Sequence, residues 1–116
     1  MVIPELRSLH SADLERPALP PACEDCSVYF QASIGPNGVQ GSEVFGFAVV
    51  TPAFLSRMEL PRWGHGLFVV QAFSWLQVDR SLERLLAQAH RATWPEVATA
   101  LRQQMEWEFE SYQPRR

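Results

Sequence analysis

The chain has 116 residues, close to the commonest size of a single domain and too short for two ordinary cores. Its 47% apolar and 20% charged fractions lie near globular averages, which excludes general disorder. Ten basic and thirteen acidic side chains leave a formal charge of −3, which argues against nucleic acid and suits a basic protein partner.

Residues 2–9 read as a first strand, with Pro4 marking it as an edge. Residues 10–26 (HSADLERPALPPACEDC) hold three prolines and no periodicity, and read as an unusually long loop. Residues 27–34 alternate cleanly: Val28, Phe30, Ala32 and Ile34 share one face, and Tyr29, Gln31 and Ser33 the other. Gly35-Pro36-Asn37-Gly38 is a turn signal, and residues 43–51 (EVFGFAVVT) form a strand apolar on both faces, hence central. Thr51 and Pro52 open a short helix that runs through Met58, as N-cap and first helical residue. A loop with Pro61, Trp63, Gly64 and Gly66 follows, then a buried strand over 67–73.

Two helices finish the chain. Over 75–90, Trp75, Val78, Leu82, Leu85, Leu86 and Ala89 fall on one stripe. Thr93-Trp94-Pro95-Glu96 is a capping box. From it Val97, Ala98, Leu101, Met105, Phe109 and Tyr112 keep helical spacing to the end of the chain. Strands first and helices last predict one α+β domain over residues 1–116: a mainly antiparallel four-stranded sheet with two C-terminal helices on one face.

Several features could carry chemistry. Cys23-x-x-Cys26 has the spacing of half a zinc site, but the chain holds only two cysteines and its histidines are scattered. A redox pair opens a helix after a strand; this one precedes a strand beside Glu24 and Asp25, whose charges oppose a thiolate. Two reduced loop cysteines are therefore expected. His65 has no nearby nucleophile or carboxylate partner in sequence, and reads as a turn residue. The 35–38 glycines separate two strands and so do not make a phosphate loop. No catalytic residue, cofactor or metal set is assigned.

The ending Trp107-Glu108-Phe109-Glu110-Ser111-Tyr112 is more informative. On a helix, Trp107 lies off the core stripe, with Glu106 and Glu110 near it on the outer side. A tryptophan rimmed by acids can anchor an interface, as can Trp63 in its loop; the alternative for Trp107 is packing under the long loop or against the sheet edge. Glu24 and Asp25 form a second acidic group.

Several stretches together resemble the immunity protein 8 family of bacterial polymorphic toxin systems. They are Ser8–Ser11, Ile34–Gly38, Glu43–Leu55, Trp94–Val97 and Trp107–Tyr112, in this order and spacing, and they span nearly the whole chain. The resemblance implies an immunity protein encoded beside a secreted toxin, often a nuclease, that it neutralises by tight non-covalent binding. It implies no catalytic residues and does not name the toxin. Acidic surface, Glu106 and Glu110 with Trp107, or Glu24 and Asp25, is expected to meet a basic toxin.

The competing reading is a small ligand- or metal-binding domain, or an enzyme, that uses Cys23, Cys26 and His65. A homodimer paired through the first strand's edge is a further option beside a monomer. No apolar run reaches the roughly 20 residues that span a bilayer, and Pro4, Glu5 and Arg7 break the start of the chain. No membrane segment or secretory leader is expected, and the expected compartment is the cytoplasm.

Overall fold

The fold, taken from a computed structural model, is described for residues 1–108. Eight elements follow one another: β1 (Pro4–His10), β2 (Ser27–Pro36), β3 (Glu43–Val50), α1 (Pro52–Leu55), β4 (Leu67–Val69), α2 (Trp75–Gln88), α3 (Trp94–Arg102) and β5 (Glu106–Trp107). The class is α+β, as the order of the predicted elements implies. The sheet is mostly antiparallel, but it holds a fifth strand, and β4 runs parallel to β3.

The strand order is β1-β2-β3, and the outer edge of β3 is shared. β4 pairs with its C-terminal half (Ala48–Val50) and β5 with its N-terminal half (Phe45 and Gly46). Alternation in β2 and β3 puts Val28, Phe30, Ala32, Phe45, Phe47 and Val49 on one face, where each is at most 5% exposed. Val78, Leu82 and Leu86 of α2 and Val97, Ala98 and Leu101 of α3 close that core. Phe30 is its centre: its ring lies 5.4 Å from Phe47, 6.3 Å from Phe73 and 5.5 Å from the edge-on Trp75. Both C-terminal helices therefore cover one face, as expected.

The long 11–26 segment is held down by α2. Trp75 donates its indole N–H to the Ala18 carbonyl at 2.8 Å. Arg16 stacks over the same ring at 5.1 Å and forks onto Asp79 at 3.0 and 2.6 Å. Farther on, Cys23 accepts from Phe73 N–H at 2.7 Å, and Cys26 N–H donates to the buried Thr51 hydroxyl at 3.0 Å.

Most boundaries fall within two residues of the sequence expectation, and four differences have a visible cause or consequence. β1 starts at Pro4, and Val2 makes an isolated bridge to Arg91 instead of extending the strand. α1 has the expected Thr51 cap but ends at Leu55. β4 covers Leu67–Val69 only, because Val70 turns inward to the Val50 carbonyl and Phe73 to Cys23. The largest correction concerns the last helix. It has its full capping box at Thr93 and Glu96, yet stops at Arg102, where the His65 ring N–H meets the Arg102 carbonyl at 2.6 Å. Met105 still donates to Leu101 at 2.9 Å and is 2% exposed, so the apolar spacing persists one turn past the helix. Trp107 and Glu106 thus belong to a strand, while Phe109, Glu110 and Tyr112 lie outside the described residues.

Candidate functional site

The sheet face turned away from α2 and α3 begins with Tyr29, Gln31 and Ser33, the residues of β2 that alternate with its core set. Across from Gln31, β3 carries Gly46. A Cβ at Gly46 would sit 1.9 Å from the Tyr29 hydroxyl and 2.8 Å from its ring carbon. The glycine is thus the floor on which the Tyr29 ring lies. A glycine inside a strand commonly marks such a close approach.

β5 adds the charge. Glu106 stands opposite Gly46, and directly paired residues of an antiparallel ladder project from the same face, so its carboxylate joins Tyr29. Glu108, two residues on, accepts a hydrogen bond from the Gln31 side-chain amide. Partial burial, and then the charges of Glu106 and Glu108, push the Tyr29 phenol above its ordinary range. Four side chains result, two from β2 and two from β5 and the residue after it, packed over a glycine of β3, with two carboxylates facing an aromatic ring.

The Glu106 side chain also borders the loop before β4. A Cβ at Gly66 would lie 3.0 Å from its Cγ. That loop presents Trp63, which is 95% exposed, and is tied to α3 through His65 and Arg102. The structure therefore brings Glu106 and the loop of Trp63 together, although 43 positions separate the two residues in sequence.

Trp107 goes the other way. Its partner is Phe45, so it turns to the helical side, stacks on Phe45 at 6.5 Å and lies under Arg102 at 5.0 Å. It is half-buried and packed against the sheet edge, the alternative weighed from sequence. Glu24 and Asp25 precede Ser27, four residues along β2 from Gln31, or about 13 Å at the usual strand rise. Asp25 is engaged by Arg57 at 2.5 Å, and Glu24 is exposed. These two do not join the Tyr29 group.

The residues weighed for chemistry have structural places. Cys26 is buried with its thiol 3.6 Å from the Cys23 carbonyl, and both cysteines are free thiols. Burial, then Cys23 and Asp25, push the Cys26 thiol up, opposite to what an attacking thiolate needs. Among the described residues there is no group of three or more His, Cys, Asp and Glu placed to hold a metal, and no helix long and apolar enough to cross a membrane.

Sequence reasoning reached Glu106 and Trp63 but passed over Tyr29, Gln31 and Glu108. The signals were the non-core phase of β2 and the lone glycine inside an otherwise apolar strand. What the arrangement offers chemically is recognition of a cation: carboxylates beside an aromatic face suit a guanidinium or ammonium group.

No curated protein matches the chain, and no solved structure does. The family profile described as immunity protein 8 matches residues 4–112, from the first residue of β1 past the end of β5. The chain belongs to the immunity protein 8 family.

Proposed function

We propose that this protein is the immunity partner of a secreted toxin of a polymorphic system, and that it works in the cytoplasm by tight non-covalent binding without catalysis. The family match over 4–112 carries this reading. The engagement of Cys26 with Thr51, and of His65 with Arg102, gives these residues structural work and favours no enzymatic use of them.

The toxin-facing surface, on this reading, is the open sheet face with Tyr29, Gln31, Glu106 and Glu108, flanked by Trp63. Unlike charge steers rapid capture and sets register, and an exposed tryptophan is a common anchor. A basic target is implied, as around the substrate site of a nuclease. Glu110 adjoins this group in sequence, while Trp107 supports it from beneath through Phe45. Glu24 and Asp25 form an outlying second patch.

The test uses the toxin domain encoded beside this chain. The two proteins should co-purify, and alanine at Glu106, Glu108, Tyr29 and Trp63 should each be measured for affinity. At least one should lose about 2 kcal/mol or more, the scale of an interface hot spot. Losses below about 1 kcal/mol at all four would move the contact to another surface. Failure to bind any neighbouring secreted protein would remove the toxin reading itself.

A further inference from the structure

Among the described residues, the short strand β4 has one edge paired and one edge open. Ala48 N–H donates to Gly66 at 2.8 Å, and Val70 N–H donates to Val50 at 2.9 Å. In a parallel ladder this phase turns the backbone of Gly66, Phe68 and Val70 toward β3, and that of Leu67 and Val69 away from it. Leu67 N–H is satisfied by Gly64 at 3.3 Å. The Leu67 carbonyl and both backbone groups of Val69 face outward, and Val69 is 51% exposed. Among the described residues no strand or loop hydrogen-bonds the outward Val69 N–H. Such an edge is a template for another strand unless something covers it.

Two further features converge there. Arg80 and Arg84, one turn apart on α2, are exposed and border the same edge. Neither makes an ion pair or a hydrogen bond among the described residues. Beside Phe68 the surface opens into a cavity of about 230 Å³ whose walls include Phe47, Leu82, Leu85 and Met105, with Arg84 among its lining residues. The edge thus combines backbone groups that want a strand, two cations without counter-charges, and an apolar recess.

We propose that the free edge of β4 is a second docking site, and that it takes an extended segment of another protein by strand addition. The segment carries carboxylates for Arg80 and Arg84 on one face and an apolar side chain between them for the recess. Main-chain hydrogen bonds supply affinity in this mode, and pockets for alternate side chains supply specificity. The chemistry selects against a second copy of this chain, because an edge-to-edge pair would bring four arginines together. The proposal is independent of the toxin reading, since the open face with Glu106 has the opposite charge.

The probe is the capped peptide Thr-Glu-Thr-Leu-Thr-Glu-Thr, which alternates an acidic and apolar face with a neutral one, against the full chain labelled with ¹⁵N. Saturable shifts should centre on the Val69 amide and the side-chain N–H groups of Arg80 and Arg84, and exchange of the Val69 amide should slow. Replacing both peptide glutamates by glutamine should weaken binding about tenfold, and R80E together with R84E should do the same, because each removes charge-assisted contacts. Val69→Pro removes the outward N–H at an edge position that tolerates proline, and should abolish the peptide-induced shifts of the Arg80 and Arg84 side-chain N–H groups while the fold persists by circular dichroism. No saturable shift at Val69, shifts centred on Tyr29 and Gln31, or a concentration-dependent dimer through β4 would each overturn the proposal.

Discussion

The outer edge of β3 is closed in two unlike ways within six residues. Its N-terminal half receives β5, which runs antiparallel and brings Glu106 and Glu108 over Gly46 and Tyr29. Its C-terminal half receives β4, which runs parallel, carries no charge and leaves its far side open beneath Arg80 and Arg84. One half is therefore an acidic, aromatic face, and the other a basic, apolar edge. A net charge of −3 therefore describes neither surface. Charge that appears mixed along the chain is sorted by β5, which brings glutamates to one half of β3, and by α2, whose arginines border the strand on the other half.

Phe45→Ala should disturb the β5 half most strongly. Phe45 is fully buried and stacks on Trp107, so truncation should destabilise by about 3–5 kcal/mol in urea denaturation. Under native conditions hydrogen exchange should accelerate at β5 before β4. Equal acceleration in both would show that the two halves of the edge open as one unit.

Thr51→Ala probes the other half. Thr51 is fully buried, accepts from Cys26 N–H at 3.0 Å and caps α1. Its loss strands a buried donor and should lower stability by about 1–3 kcal/mol. The melting temperature should fall, while the raised titration of Tyr29 at the β5 half persists. A return of Tyr29 to ordinary behaviour in this variant would contradict local separation of the two halves.

The smallest effect is electrostatic. Tyr29 titrates above its ordinary value because of burial first and the two glutamates second. The neutral phenol is thus favoured in the folded state. Its stability contribution is complete below the ordinary tyrosine range, near pH 10, and is lost as pH rises through the higher folded value. E106Q with E108Q should bring that value down but leave it above the ordinary one, since burial remains. Ultraviolet absorbance titration, with Y29F to subtract Tyr112, would measure it. The same titration in R80E/R84E should not move; if it does, the two regions share one field.

Much of the fold was legible because local rules and burial agree. β2 alternates, α2 keeps one apolar stripe, and the capping box at Thr93 and Glu96 is present in full. The candidate site was legible in part. Glu106 and Trp63 stood out by residue type, but the approach of Glu106 to the loop that carries Trp63 depends on Gly66 accommodating the Glu106 side chain. The end of α3 was misread for a definite reason. Leu101 and Met105 keep i, i+4 spacing and are both buried, so periodicity alone continues the helix. His65, 37 residues from Arg102, meets the helix end, and β3 offers the β5 strand an unpaired edge.

By itself, the sequence determined the class, the element order as far as α3, the core face of β2 and the resemblance to the immunity family, because these rest on spacing and residue type. Tertiary structure alone decided that residues 106–107 form a strand, that Trp107 packs inward while Glu106 faces out, and that among the described residues β4 keeps an open edge. Those outcomes depend on contacts between residues distant in sequence, and a ladder partner one residue out of step would have put each side chain on the opposite face.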